Sequence, residues 1–258
     1  MKIHPTAIVD PAARIDDTAI VGPYCVIGAE VEIGARTELK AHVYCEGPTW
    51  IGEDNLFYPY ASIGVASQDL KYKGERAETH IGSRNKIREF VTIHRGTEEG
   101  GLKTRIGDDN LLMAYTHVAH DVQLGSHCVL ANGVTLGGHV AVGDWAVIGA
   151  FTGVHQFCRV GRHSMIGGYS VITQDVMPFA TIVTPRESKA FGANATGLER
   201  RGFHAAVVEN LQNALRLLTR GKLNTSQAIE KIRKEIPACP EVEELIVFIQ
   251  SSQRGVIK

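Results

Sequence analysis

A ruler of six runs through most of this chain. Counting by six from Val9 gives Ile15, Val21, Ile27, Ile33, Leu39, Cys45, Ile51, Phe57 and Ile63, and Ile81, Ile87 and Ile93 keep that phase beyond a gap. The phase then moves by one residue and resumes at Ile106, Leu112, Val118, Leu124, Leu130, Leu136, Val142, Ile148, Val154, Val160, Ile166 and Ile172. Two residues before these positions the side chain is mostly small or β-branched, as at Ala7, Ala19, Cys25, Thr116, Val134 and Ser164; Asn55, Asn85 and Asn110 are the exceptions. Residues two apart on a strand face the same way, and the spacing of three and four that marks a helix is not followed. Self-similarity at a fixed period specifies a repeat architecture. Three six-residue flats make a triangular coil of about 18 residues, stacked about 4.8 Å from the next. The ruler residues fill the tube, and the small residues two before them keep it narrow. Cys25, Cys128 and Cys158 occupy the small slots and Cys45 an interior one, so these thiols read as packing residues.

The ruler fails twice. Residues 64–80, "GVASQDLKYKGERAETH", and 94–105, "HRGTEEGGLKTR", read as loops extruded from the tube, and loops on a rigid scaffold often carry function. The polar, cationic and aromatic side chains of the first suit a ligand; a neutral surface insertion is the competing reading of the second. The pattern ends near residue 185, which divides the chain into a tube (1–185) and a helical C-terminal domain (186–258). Val207, Leu211, Leu215 and Leu218 have helical spacing, with Gly221 as a stop. Thr225 or Ser226 is the expected cap of a second helix, and "PEVEELIVFIQSSQRG" forms a third. A net charge of −1 gives no reason to expect a nucleic-acid partner. No apolar run approaches the ~20 residues of a membrane span. Five scattered cysteines and an N-terminus without an apolar block fit a cytoplasmic location.

The 18-residue coil allows side chains to be stacked in columns. Val118 points inward, so His117 points outward, and His120 lies around the corner, also outside. His120, Gly138 and Gln156 share one outer column; Asp121, His139 and Phe157 share the next. Asp121 can orient an imidazole, and Gly138 exposes its backbone N–H to close approach. A base beside a bare amide is what acyl transfer requires. A histidine pair alone would more often be incidental, and most of the eleven histidines, including His4, His42, His127, His163 and His204, read as surface residues.

The stretches "QDLKY" (68–72), "TIHRGT" (92–97), "NLLMAYTHVAHD" (110–121), "GGHVAVGD" (137–144), "GVHQF" (153–157) and "GLERRGF" (197–203) resemble the UDP-N-acetylglucosamine 3-O-acyltransferase family, which performs the first acylation of lipid A synthesis. The likeness runs the whole chain. It implies a left-handed parallel β-helix of hexapeptide repeats followed by a small α-helical domain. It implies His120 as general base, Asp121 as its orienting neighbour and Gly138 as the oxyanion donor. Gln68, Asp69, Lys71, His94, His117, His139 and Gln156 match positions that contact the sugar nucleotide or the acyl-pantetheine. Asn194, Arg200 and Arg201 match nucleotide-binding positions, and Gly168 matches a hydrocarbon ruler whose glycine form goes with long chains, here fourteen carbons. The implied partners are a UDP-sugar, an acyl carrier protein that brings the donor on phosphopantetheine, and two further copies in a homotrimer with clefts between tubes. No metal or other cofactor is implied.

Two departures leave part of this open. Thr196 stands where many members carry Glu, and 184–194, "TPRESKAFGAN", replaces a common Gly-Asn turn. They put fine nucleotide contacts in doubt, and the acceptor is either GlcNAc or its 3-amino analogue. Two rival classes are a zinc-dependent β-helical carbonic anhydrase, which uses three histidines, and a non-catalytic scaffold; neither accounts for the RRGF motif. Because the carrier protein is acidic, Lys86, Arg88, Arg95, Arg159 and Arg162 are candidates for a basic landing surface.

Overall fold

The computed structural model describes residues 2–183, 189–220 and 223–258. The division at 185 and the first part of the 184–194 departure fall outside the described residues, as does the expected stop at Gly221. The chain is a left-handed parallel β-helix followed by helices. Its short strands stack into three faces of eleven, nine and eight strands, here called faces 1, 2 and 3. Pairing is parallel throughout the tube, with partners 18 residues apart, as in Ile20 with Glu38 on face 1 and His117 with Thr135 on face 2. A final antiparallel pair, Ala180–Val183 with Lys189–Ala193, closes face 1.

The ruler residues form the core. Phe57, Ile63, Ile93, Leu112, Val118, Leu130 and Leu136 are fully buried. Both expected loops leave the tube, and their lengths explain the phase. Leu56 pairs with Lys86, 30 residues on, and Lys86 with Leu111, 25 residues on. Against a coil of 18, the first loop adds twelve residues and the second seven. Twelve is two hexads and leaves the phase intact; seven moves it by one.

The three asparagines among the small slots are not anomalies. Asn85 Nδ2 and its backbone N–H both donate to Asn55 Oδ1, at 3.0 and 2.9 Å, and Asn110 N–H donates to Asn85 Oδ1 at 2.9 Å. Asn55 Nδ2 donates to the Gly82 carbonyl, Asn110 Nδ2 to that of Gly125, and Cys128 N–H to Asn110 Oδ1. An amide ladder thus joins the coils between which both loops leave. The four tube cysteines are buried, as packing residues should be; burial pushes the Cys45 thiol up and takes that of Cys128 up to about 12.

Four helices follow: α1 (Ala195–Arg200), α2 (Ala205–Arg220), α3 (Thr225–Glu235) and α4 (Pro240–Gln250). The expected stripe on α2 is observed in shifted form, with Val208 buried and Val207 partly so. The cap of α3 is Asn224, one residue before the expected Thr225. Its side chain accepts from Gln227 N–H at 2.9 Å while Gln227 Oε1 accepts from Asn224 N–H, a reciprocal box that neither hydroxyl completes. α4 lies against face 3: Arg159 donates to Asp175 at 2.8 Å and to the Phe248 carbonyl, and Arg162 pairs with Glu244.

Candidate active site

The corner between faces 2 and 3 carries the candidate site. Its residues leave the face-2 strand at His117–Val118 and re-enter face 3 at Gln123–Leu124. Asp121 and His139 turn this corner with left-handed backbone, φ +61° and +62°, a conformation that Asp and His adopt more readily than most residues. The turn points successive side chains away from the tube, as the column arithmetic requires.

His120 is the centre. Its Nδ1 lies 2.8 Å from Asp121 Oδ2, and the ionised carboxylate can only accept, so Nδ1 carries the hydrogen and Nε2 keeps its lone pair. Nε2 lies 3.9 Å from Asp69 Oδ2, supplied by the first loop. The ring lies over Gly138: a Cβ there would sit 2.4 Å from Cε1 and 2.5 Å from Nε2. Among the described residues the Gly138 N–H has no hydrogen-bond partner. His139 packs edge-on to His120, with centroids 5.0 Å apart, and stacks on Phe157 at 4.3 Å.

Gln68, Asp69, Leu70, His94, His117, Ala119, His120 and Gln156 line one cavity of about 330 Å³. Lys71 does not line it: with Asp69, Thr97 and Glu99 it borders a neighbouring cavity of about 210 Å³, paired with Glu99 of the second loop at 3.1 Å. His94 is 3% exposed, its Nδ1 has no partner among the described residues, and burial first, then the charge on neighbouring histidines, holds it down to about 4. Burial also lowers His117 and His139, the latter against the opposing pull of Asp121. These three imidazoles are therefore neutral at pH 7 and do not stack positive charge around His120. His117 Nδ1 is 2.7 Å from Thr92 Oγ1.

Asn194, Arg200 and Arg201 lie elsewhere. They border a separate cavity of about 540 Å³ against face 1, with Val147, Met165 and Thr181. Asn194 has its amide engaged: Oδ1 caps α1 by accepting from Gly197 N–H at 3.3 Å, and Nδ2 donates to the His163 carbonyl at 3.1 Å. Arg201 lies over the Trp145 ring, 5.2 Å from its centroid, and Thr196 is exposed beside it. Gly168 sits against the Ala150 backbone, away from the histidine cavity.

Two expectations need correction, and one competing reading is set aside. His163 is 4% exposed rather than a surface residue, because Phe203 of the helical domain closes on it. The expected basic landing surface is largely neutralised: Arg88 pairs with Glu89, Arg95 is buried beside Glu46, and Arg159 and Arg162 are tied to Asp175 and Glu244. The second loop is not a neutral insertion, since Thr97 donates its hydroxyl to Asp121 at 2.6 Å. Among the described residues the only group with metal-ligand spacing is His120, Asp121 and His139, two histidines where the anhydrase reading needs three.

Residues 175–257 match the family model "Udp N-acetylglucosamine O-acyltransferase; Domain 2", and residues 103–138 match the bacterial transferase hexapeptide repeat. The solved UDP-N-acetylglucosamine O-acyltransferase of Moraxella catarrhalis is 43% identical, with 100% of each chain covered and a TM-score of 0.95. That of Bacteroides fragilis is 39% identical over 99% of this chain and 100% of the other, TM-score 0.97. The chain belongs to the UDP-N-acetylglucosamine acyltransferase family. The Francisella novicida member agrees, at 39% identity over 99% of this chain and 93% of its own, TM-score 0.94. The family's alignment spans both cavities, so the histidine corner and the face-1 cavity belong to one enzyme scaffold.

Proposed function

We propose that this enzyme transfers a 3-hydroxyacyl chain from acyl carrier protein to the 3-hydroxyl of UDP-N-acetylglucosamine, the first step of lipid A synthesis. The observation that carries it is the His120 ring, anchored by Asp121 and lying over the Gly138 N–H, which has no partner among the described residues. Nε2 removes the proton of the sugar hydroxyl. The oxygen attacks the thioester carbonyl, and the Gly138 N–H donates to the oxyanion. Collapse breaks the C–S bond, and the imidazolium returns its proton to the departing thiolate. General-base catalysis of this kind contributes about 10²–10⁴-fold. Gln68, Asp69, Lys71, His94, His117, His139 and Gln156 are assigned to the sugar and the pantetheine arm. Gly168 is assigned to the end of a groove for a fourteen-carbon chain.

A histidine cluster on one corner and arginines on the opposite face support a homotrimer, with each site completed by a neighbour. Incubation of the protein with UDP-N-acetylglucosamine and carriers bearing ten-, twelve- and fourteen-carbon chains, read by mass spectrometry, tests the reading. The 3-O-acylated product, most from the fourteen-carbon donor and nearly none from His120→Ala, is the expected result. Acylation of only the 3-amino sugar moves the acceptor to that analogue. A His120→Ala variant keeping more than about a tenth of the rate removes His120 as the base.

A further inference from the structure

The second loop reaches the catalytic corner through Thr97, which does not itself line the histidine cavity. Asp121 is 3% exposed, and among the described residues no lysine or arginine pairs with it. Hydrogen-bond donors hold its charge instead. Thr97 N–H reaches its two oxygens at 3.0 and 3.1 Å, and the Thr97 hydroxyl reaches Oδ2 at 2.6 Å. That is the oxygen His120 Nδ1–H uses. Thr97 is itself 5% exposed.

The loop also closes tightly over the carboxylate. A Cβ at Gly100 would lie 1.9 Å from Asp121 Cγ, and one at Gly96 would lie 2.7 Å from Oδ1. Tube packing demands none of this, because later coils turn the same corner without an insertion. Nor does the loop need the hydroxyl for its own shape. Its backbone closure uses the Thr97 carbonyl, which accepts from Gly100 N–H at 3.1 Å and Leu102 N–H at 2.8 Å.

We propose that Thr97 is a positioning residue for acyl transfer. It clasps the Asp121 carboxylate so that Oδ2 stays beneath His120 Nδ1 and Nε2 stays aimed across Gly138. The effect on rate rests on the reading of His120 as general base; the clasp itself does not. A buried carboxylate free to rotate would offer the imidazole several hydrogen-bonding geometries, of which one is productive.

Thr97→Val removes the hydroxyl and keeps the shape and the N–H. Two readouts are taken on the full chain. The first is kcat and KM. The second is the Nδ1–H resonance of His120 in ¹⁵N-histidine-labelled protein, assigned by its loss in His120→Ala. The expected result is a kcat lower by about tenfold, the low end of the loss when a residue that orients a metal-ligating histidine is changed. KM for the UDP-sugar stays unchanged, the Nδ1–H resonance moves, and Thr97→Ser restores both. An unmoved resonance overturns the clasp, whatever the rate does. A moved resonance with unchanged kcat overturns the positioning role, and the His120→Ala rate, read in the same assay, keeps that failure distinct from a failure of His120 as the base. If Thr97→Val does not fold, Gly100→Ala is read in its place. It presses on Asp121 directly and must move the same resonance, or the proposal fails.

Discussion

The two nitrogens of His120 have separate neighbours, the Asp121 carboxylate at Nδ1 and the open cavity with Asp69 at Nε2. Gly138 is what permits the ring to lie where it does. Gly138→Ala would put a methyl within 2.4 to 2.5 Å of the imidazole, so the ring must move. A displacement of this kind costs about 10²-fold in rate, and kcat should fall accordingly while the melting temperature changes little. A variant with full activity would show that neither the ring position nor close approach to this amide matters. His163 allows a different test. Stacked between Trp145 and Phe179, it is held down to about 4 by burial first and by Arg162 and Arg201 next. The unfolded chain takes its proton near the ordinary histidine value of about 6.5. A depressed folded value means stability that is present above about pH 6.5 and lost as pH falls toward 4. His163→Phe keeps the stack and removes the titration. Melting curves of variant and parent should therefore diverge below pH 6.5, by on the order of 3 kcal/mol at pH 4. Parallel curves would show that His163 is not the group responsible. Column arithmetic could place His120, Gly138 and Gln156 together because a fixed coil makes sequence separation a distance. It could not find Thr97, which arrives on a loop with no period, nor the burial of His163, which depends on where a separate helical domain docks.

Among the elements, the tube was readable because each flat repeats one local rule, and even the phase slip has an arithmetic cause in loops of twelve and seven added residues. The asparagine ladder was visible only as a break in that rule. Its logic is three-dimensional: each amide serves the coil above or below, 15 to 30 residues away. Asn85→Ala would leave the buried Asn110 N–H without its acceptor and open a small void. An unsatisfied buried donor plus lost packing costs about 2–4 kcal/mol. The unfolding free energy from denaturant titration should fall by that amount, through a lower midpoint with an unchanged slope. A loss under about 0.5 kcal/mol, the range of an ordinary surface change, would mean that water or backbone shifts replace the ladder. The helical elements were readable as stripes but not at their ends, since Asn224 outcompetes Thr225 through a side-chain exchange with Gln227. Charge was the least readable property. Arg88, Arg159 and Arg162 are free cations in sequence and paired ones in the fold.

On the scale of the whole molecule, the histidine corner lies between faces 2 and 3, and a corner of a triangular tube is opposite the remaining face. Asn194, Arg200 and Arg201 border that face, face 1, so one small substrate cannot touch both groups of one chain. A head-to-tail ring of three copies, as proposed above, would set each corner against the next copy's face 1 and bring them together. Leu70, wholly exposed at the tip of the first loop beside the histidine cavity, is an apolar contact that such a neighbour would cover. The arrangement predicts complementation. His120→Ala and Arg201→Ala chains should each be nearly inactive alone. Co-expressed in equal amounts, they should form mixed trimers. A site works when an intact corner meets an intact face 1, so random mixing restores about a quarter of the sites. The check is activity of the co-purified trimer, with two different affinity tags proving that it is mixed. Each trimer selected as mixed has one working site of three, so recovery to about a third of the parent rate supports a site shared between copies. Mixed trimers no more active than either variant alone would place His120 and Arg201 in the same site of one chain, or Arg201 outside the reaction altogether.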